Sequence, residues 1–429
     1  MKICFIDTWT PGLENFSPIH NELQKKGIDS FLIHTSSFDD EKYPEYEEII
    51  KDVNCKEIRY YNTKLIHKAL KKEMPDVVLN LTSFYILDRA INYSCKALGI
   101  KSVFLMPGTR ETDLSYIKNE EYNFRFKQLN NQRMSRFHKY IKYIIPNYLY
   151  STYKYKFYYL FRIEPWRALF ELFIDPASKA MYPRPNKEIH ADKALVFSDV
   201  YKKFFMKIYG YPKEKVYCVG NPKLDDAFSI LINKPNSKEI NDFKLRYKIP
   251  INTKTVLYLT SPFVESGYAG WTKDFRIKEL KKIEKICRTN SFHLVVKLHP
   301  SMFYDDSLFQ YGNSKQHVSI IDETNTPLLV HASDVVVGHS SSTLLIPIVL
   351  KKPLIIMKWS SCSFVNDRFK NYDLTKISTS EKDFSDLLKN HLKILKLLDS
   401  SSKRKKYIKD FIQFEDNKSL KRIVRELLN

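Results

Sequence analysis

The feature that most constrains the fold is a repeated alternation of short apolar runs with longer helical patterns. In the second half of the chain, the apolar runs Phe292–Val296 and Asp334–Val337 each end in polar residues at a turn. Runs of this kind are typical of parallel strands that are buried on both faces of a sheet. Because ligands bind beyond the carboxyl ends of such strands, the two turns are the first place to look for a site.

The same alternation predicts an α/β fold with two Rossmann-like domains that face a cleft. We expect an N-terminal domain over residues 1–232, a C-terminal domain over 233–380 and C-terminal helices over 381–429. Asn233–Lys238 is rich in Asn, Lys, Pro and Ser and is predicted to be a linker. In the N-terminal domain the predicted strands are Lys2–Asp7, Ser30–His34, Glu57–Tyr61, Asp76–Leu81, Ser102–Met106, Ala194–Ser198 and Lys215–Val219. Near the C-terminus, Ser402–Leu428 is predicted to be an amphipathic helix.

Composition narrows the function classes. The formal net charge of +21 over 429 residues favours anionic partners. The six cysteines are scattered singly, so the chain carries no zinc or redox CxxC motif. No apolar run approaches the roughly 20 residues that span a bilayer. The apolar run at the start of the chain is too short for a signal peptide, and an acidic residue follows it at once. We therefore expect a cytoplasmic protein.

Residues 118–190 break the alternation and are predicted to be a basic, aromatic helical insertion in the N-terminal domain. Eleven Lys and Arg stand against three Glu between Lys118 and Phe170. One interpretation is that residues 118–170 dock on an anionic membrane surface at the inner face of the cell membrane. The other is that the aromatic side chains pack against the N-terminal domain. No nucleic-acid-binding motif accompanies the charge, so nucleic acid is not a predicted partner.

The two turns in the second half carry the residues that are predicted to bind a phosphate. Lys297, His299 and Pro300 follow the first apolar run. A lysine and a histidine two residues apart both donate to phosphate oxygens, and Pro300 fixes the turn. The second run is followed by three serines, Ser340, Ser341 and Ser342, which are more than helix capping needs. A helix comes next, and its N–H groups suit an anion. His339 faces either the ligand or the core.

Other candidates lie at the remaining strand ends. Asn221 follows a glycine at the last strand of the first domain, and Ser261 follows the first strand of the second, where a base or ribose is expected. A transferase also needs a base that takes a proton from the acceptor hydroxyl. Glu111 and Asp113, which follow the predicted strand Ser102–Met106, are the preferred catalytic carboxylates. The sequence contains no acidic Asp-x-Asp pair of the metal-binding kind, so no metal is predicted.

These motifs resemble those of known families. Lys297-Leu298-His299-Pro300 with Ser340-Ser341-Ser342 resembles the "HP" and "SS" motifs of bacterial GT-B sialyltransferases, polysialyltransferases and Kdo transferases. That resemblance implies that His299 and Ser341 or Ser342 hold the phosphate of a CMP-linked sugar. The segment from Ser333 to Ser342 is also similar to a loop of UDP-N-acetylglucosamine 2-epimerases. CDP-glycerol phosphotransferases share a similar fold and a similar use of histidine and serine.

The resemblance implies a GT-B glycosyltransferase that needs no cofactor or metal. It would move a sugar from a nucleotide-sugar donor, with a CMP-sugar favoured, to a glycan or lipid-linked acceptor in surface polysaccharide synthesis. The alternatives are a UDP-N-acetylglucosamine 2-epimerase, a CDP-glycerol-type phosphotransferase, and a non-catalytic adaptor for membranes or nucleic acid. An epimerase would need no acceptor, and an adaptor would have no nucleotide affinity.

Overall fold

In a computed structural model, the described part of the chain consists of residues 1–7, 13–38, 46–81, 86–108, 140–163, 166–167, 169, 190–265, 271–302, 305–322, 324–339, 341–359, 369, 372–399 and 401–429. These residues form two compact units. The first contains the described residues of 1–109, 125–221 and 418–429, and the second contains those of 222–417. The predicted domain boundaries remain predictions.

The first unit is built on an eight-stranded sheet with the order β3-β4-β2-β1-β5-β6-β7-β8. Every neighbouring pair is parallel except β3 and β4, which are antiparallel. The four middle strands are buried almost throughout, as apolar runs of this kind predict. The strands are β1 (Lys2–Asp7), β2 (Asp29–His34), β3 (Glu47–Ile50), β4 (Val53–Glu57), β5 (Val77–Asn80), β6 (Lys101–Leu105), β7 (Lys193–Val196) and β8 (Val216–Cys218).

Helices cover this sheet and place their apolar residues against it. One core contains Phe5, Phe16 and Leu79 and is completed by Ile423 and Leu427 from the last helix of the chain. That helix is tied to the sheet by the Lys193 ammonium, which lies 3.3 Å from the Glu426 carboxylate. The helices of this unit are α1 (Leu13–Gln24), α2 (Ile66–Glu73), α3 (Ile86–Leu98), α4 (Ile145–Lys156), α5 (Asp199–Ile208) and, at the C-terminus, α15 (Ser419–Leu428).

The second unit is built on a six-stranded, wholly parallel sheet with the order β11-β10-β9-β12-β13-β14. Its strands are β9 (Lys254–Leu259), β10 (Phe292–Lys297), β11 (Val318–Ile321), β12 (Val335–Gly338), β13 (Leu354–Met357) and β14 (Lys376–Ser378). Its helices are α6 (Asp225–Ile232), α7 (Ser237–Arg246), α8 (Lys273–Thr289), α9 (Asp306–Asn313), α10 (Thr326–Ala332), α11 (Leu345–Val349), α12 (Glu381–Lys389), α13 (His391–Asp399) and α14 (Ser401–Tyr407).

The fold class is the predicted one, and three local predictions are wrong. The strand expected over Glu57–Tyr61 ends at Glu57, because the buried Glu57 carboxylate accepts a hydrogen bond from the Arg59 N–H and starts a 3₁₀ turn. The linker expected over Asn233–Lys238 contains the start of α7, where Asn236 and Glu239 form a reciprocal capping box. The helix expected over Ser402–Leu428 is interrupted after a π-helical turn, where Gln413 has a φ of 76°.

The predicted helical insertion is described in part. Residues 140–163 form a π-helical turn (Tyr140–Ile144), α4 and a 3₁₀ helix (Phe157–Phe161). Most of the rest of 118–190 lies outside the described residues, so the insertion as a whole remains a prediction. Among the described residues, no helix is both long and apolar enough to span a membrane.

Candidate functional site

Three neighbouring strands of the second sheet end at the same level. In the register of the sheet, Leu259 at the end of β9 lies opposite Lys297 of β10 on one side and Gly338 of β12 on the other. The turns that carry the predicted phosphate-binding residues therefore leave the sheet side by side at its carboxyl edge. Since strands are spaced by about 4.8 Å, the turns after β10 and β12 lie roughly 10 Å apart, across β9.

His299 is held in place by the neighbouring strand. Its backbone N–H donates to the Thr260 hydroxyl at 2.8 Å, and that hydroxyl donates to the Lys297 carbonyl at 3.0 Å. The ring Nδ1 lies 2.9 Å from the Ser301 hydroxyl and accepts from the Ser301 N–H at 3.3 Å. With Nδ1 acting as the acceptor, a neutral ring carries its proton on Nε2, which is the form that donates to a phosphate oxygen.

Lys297 and Pro300 flank this histidine in different surroundings. The Lys297 side chain is buried, and its ammonium donates to the Leu298 carbonyl at 2.7 Å. Pro300 is exposed and begins a short 3₁₀ turn, Pro300–Met302. The predicted pairing of Lys297 with His299 on a ligand remains a prediction.

The serines after β12 begin a turn that packs back on the strand. Ser341 is the N-cap of a 3₁₀ turn, Ser342–Leu344, and its hydroxyl accepts from the Thr343 N–H at 3.2 Å. Ser341 and Ser342 are half-buried, and Ser340 lies outside the described residues. The helix that follows, α11, has only five residues, so its dipole adds little to anion binding.

Gly338 makes this close turn possible. A Cβ added to Gly338 would lie 2.9 Å from Leu344 Cδ2 and 3.2 Å from the Leu259 carbonyl oxygen. A Cβ there would force the Leu344 side chain and the end of β9 to move apart, which costs free energy in a packed core. Glycine at this position therefore lets the serine turn approach the end of β9.

His339, whose direction the sequence leaves open, lies in the core. It is 3% exposed, and its Nδ1 lies 3.0 Å from the Met357 carbonyl oxygen. The rings of Phe263 and Trp271 pack edge-on against it at 5.2 Å and 6.0 Å. Burial lowers the pKa of His339 to about 4, so the ring is neutral at pH 7. This histidine ties the turn after β12 to the loop after β9.

A buried ion-pair network, which the sequence analysis missed, supports the same edge. Arg276 of α8 is 7% exposed and donates to the Glu265 carboxylate at 2.7 Å and to the buried Asp305 carboxylate. Glu265 lies in the loop after β9 and Asp305 in the segment after β10. Arg276 thereby connects the two loops that follow Ser261 and His299. The two carboxylates lie 11 and 29 residues from Arg276 in the sequence, so the packing of α8 brings them together.

Two other predicted residues lie at strand ends. Ser261 is buried two residues after the end of β9, and its carbonyl accepts from the Phe263 N–H at 2.8 Å. Asn221 is 3% exposed and follows Gly220, whose φ of 83° suits glycine. Glu111 and Asp113 lie outside the described residues, so their catalytic role remains a prediction.

The carboxyl edge of the first sheet carries polar residues that the sequence analysis did not single out. β2 and β5 lie on either side of β1, and both end in polar residues. Thr35 Oγ1, Ser37 Oγ and Asn80 Oδ1 are buried, yet the described residues offer them no hydrogen-bond partner. Buried polar atoms of this kind are normally satisfied by water or by a ligand. Within the described ranges, no group of three or more His, Cys, Asp or Glu side chains is arranged to hold a metal ion.

Solved structures of similar fold cover the whole chain. The UDP-GlcNAc 2-epimerase of Methanocaldococcus jannaschii is 18% identical, with a TM-score of 0.52 over 100% of this chain and 99% of that chain. The UDP-GlcNAc 2-epimerase of Neisseria meningitidis, bound to UDP-GlcNAc, is 14% identical, with a TM-score of 0.53 over 100% of both chains. A variant of the wall teichoic acid polymerase TagF, soaked with CDPG, is 11% identical, with a TM-score of 0.56 over 100% of this chain and 88% of that chain.

At these identities the likeness shows the fold, which is GT-B, as the sequence predicts. No curated protein sequence matches the chain. The model of one family, CDP-Glycerol:Poly(glycerophosphate) glycerophosphotransferase, matches residues 179–429, which is more than half of the chain. These comparisons do not support the CMP-sugar donor that the sequence analysis favours. The protein is a transferase-type member of the CDP-glycerol:poly(glycerophosphate) glycerophosphotransferase family.

Proposed function

We propose that this protein transfers a polyol-phosphate group, of the glycerol-phosphate class, from a CDP-linked donor to a hydroxyl of a glycan or lipid-linked acceptor. The family match supports the donor class and the reaction type. The observation that carries the proposal is the placement of His299 and of Ser341 with Ser342 on turns that leave one sheet edge at the same level. The two turns are separated by roughly 10 Å, so side chains that reach inward from both are suited to hold a phosphate between them.

In this reaction the acceptor hydroxyl oxygen forms a bond to the phosphorus that carries the glycerol. The bond from that phosphorus to the bridging oxygen breaks, and CMP leaves with the bridging oxygen and its negative charge. The hydroxyl proton passes to a base, for which Glu111 and Asp113 are the predicted candidates. Hydrogen-bond donors that already point toward the leaving phosphate stabilise its developing charge and lower the barrier. His299 Nε2–H and the Ser341 and Ser342 hydroxyls are proposed to act in this way.

No metal or cofactor is required in this proposal, because the histidine and the serines stabilise the leaving CMP. Release of CMP is expected to continue in EDTA. The predicted location, peripheral on the inner face of the cell membrane, also remains a proposal.

The test is a donor assay with CDP-glycerol, a CMP-linked sugar and UDP-GlcNAc, each with and without a lipid-linked glycerol-phosphate primer. The proposal predicts release of CMP from CDP-glycerol that depends on the primer. Transfer from the CMP-sugar alone would restore the donor that the sequence analysis favours and overturn the CDP-linked donor. Epimerisation of UDP-GlcNAc without an acceptor would overturn transfer itself.

Two histidine variants test the site. His299→Ala is expected to lower kcat for CMP release by about 10²-fold, the usual loss when one oriented donor is removed. His317→Ala is the matched control, since His317 is exposed and precedes β11 at the opposite edge of the same sheet. Equal rates for the two variants would rule out His299.

A further inference from the structure

The Arg276 guanidinium contacts two segments that leave neighbouring strands of the second sheet. Its Nη1 donates to the Glu265 carboxylate at 2.7 Å, and its Nη2 donates to the Asp305 carboxylate. Glu265 belongs to the loop after β9, and Asp305 belongs to the segment after β10. The Arg276 and Asp305 side chains are 8% and 5% exposed, so water competes little for their contact. One arginine side chain therefore joins the two segments.

Two backbone hydrogen bonds connect the Asp305 end of this contact to the candidate phosphate-binding histidine. The His299 carbonyl accepts from the Met302 N–H at 2.8 Å, and the Met302 carbonyl accepts from the Asp305 N–H at 3.1 Å. Met302 is 1% exposed, and its Sδ lies 3.4 Å from the Thr260 hydroxyl. Because the two bonds share the buried Met302, a displacement of Asp305 is passed on to His299.

The Glu265 end of the contact belongs to the loop in which the base or ribose is expected. Ser261 is buried in this loop, and its carbonyl accepts from the Phe263 N–H at 2.8 Å. The Phe263 and Trp271 rings lie 4.8 Å apart, and Trp271 meets Phe275 of α8 edge to face at 5.0 Å. The helix α8 therefore holds this loop through aromatic rings as well as through the ion pair.

We propose that Arg276 is a positioning residue, which fixes the distance between the turn that carries His299 and the loop that carries Ser261. This inference rests on the proposed function, because it takes His299 to bind the phosphate of a cytidine nucleotide. A ligand that occupies two places at once binds more tightly when their separation is fixed in advance, since less conformational freedom is lost on binding. Arg276 has this effect without touching the ligand.

A purely structural role for Arg276 predicts a different pattern of binding. Replacing a side chain that only stabilises the fold lowers the amount of folded protein, so the affinities for all ligands of the second unit fall together. Replacing a positioning residue weakens chiefly the ligand that spans both segments. CMP carries a nucleoside and a phosphate, whereas cytidine lacks the phosphate, so the two ligands distinguish the two roles.

The test is calorimetric binding of CMP and of cytidine to the full chain and to two variants. Glu265→Gln removes the charge at one end of the contact and keeps the pair between Arg276 and Asp305. Arg276→Lys keeps a cation beside Asp305 and loses the planar fork that reaches both carboxylates. We expect each variant to bind CMP about fivefold more weakly, or more, and to bind cytidine like the wild type. Lys273→Gln is the matched control, because Lys273 is 64% exposed and lies 3.8 Å from the same Asp305 carboxylate.

A double-mutant cycle shows whether Arg276 acts through His299. His299→Ala should weaken CMP binding by about tenfold in the wild type and by only about twofold to threefold in the Glu265→Gln and Arg276→Lys backgrounds. The same tenfold loss in all three backgrounds would overturn the positioning role, and so would an equal loss of CMP and cytidine affinity in Glu265→Gln. If His299→Ala leaves CMP binding to the wild type unchanged, the phosphate site of the proposed function fails as well.

Discussion

The carboxyl edges of the two sheets differ in how their polar groups are satisfied. In the second unit, Thr260 donates and accepts, Arg276 joins two carboxylates, and His339 meets the Met357 carbonyl. In the first unit, Thr35 Oγ1 and Asn80 Oδ1 are buried with no partner among the described residues. The turn that carries His299 is therefore fixed by its neighbours, although Arg276 Nε and Trp271 Nε1 are also buried at this edge without a partner among the described residues. Under the proposed function, side chains fixed in this way suit the phosphate of the donor.

The largest effect is expected from the network behind the second edge. Arg276→Met leaves the buried Asp305 carboxylate without its main partner, so we expect a loss of about 3–5 kcal/mol in the free energy of unfolding, measured in urea. Lys273→Met is the control, because Lys273 is 64% exposed and lies 3.8 Å from the same carboxylate. It should cost at most about 1 kcal/mol. A similar small loss in both variants would show that the edge does not depend on the network.

The next effect is a loss of stability in acid that comes from His339. Its folded pKa is lowered to about 4 by burial, whereas its ordinary pKa is 6.5. Below pH 6.5 the unfolded chain therefore binds a proton that the folded chain does not, and stability falls as the pH drops toward 4. We expect a contribution of about 3 kcal/mol over this window.

His339→Gln should flatten that part of the profile in urea unfolding measured at several pH values. His293, whose pKa burial also lowers to about 4, continues to contribute in this variant. His317→Gln is the exposed control. An unchanged slope in His339→Gln would contradict the buried, neutral state of the ring.

The smallest expected effect is the difference in stability between two variants, each of which loses one hydroxyl at the edge of one sheet. Thr260→Val removes a hydroxyl that serves both the Lys297 carbonyl and the His299 N–H, so it should cost about 1–3 kcal/mol. Thr35→Val removes a buried hydroxyl without a partner among the described residues, so its stability should be unchanged or about 1 kcal/mol higher. Urea unfolding of both variants measures the contrast. A costly Thr35→Val with a harmless Thr260→Val would reverse the comparison.

Much of the fold is predictable from the sequence because buried parallel strands appear as short apolar runs. The strand Lys2–Asp7 has the bounds that the sequence predicts. The strand Val53–Glu57 was misplaced because its alternating burial differs from those runs and because Glu57 turns inward to cap the next turn. The local pattern of apolar and polar residues in the sequence does not show such side-chain contacts.

The candidate site likewise contains some residues that the sequence places correctly and others whose position depends on packing. The positions of His299 and Ser341 at strand ends follow from local sequence. The burial of His339 depends on Phe263 and Trp271, and the contact between Arg276 and Asp305 depends on how α8 packs, so neither is visible in the sequence. Long-range packing therefore determines which polar side chains lie in the core behind the site and which lie at its surface.

The most direct test is calorimetric binding of CMP and of cytidine to the wild type, His299→Ala and His317→Ala. If the carboxyl edge of the second sheet holds the nucleotide phosphate, His299→Ala should weaken CMP binding by about tenfold or more, at the strength of a charge-assisted hydrogen bond. It should leave cytidine binding and the melting temperature unchanged, and His317→Ala should match the wild type. Equal affinity of His299→Ala and wild type for CMP would contradict the account.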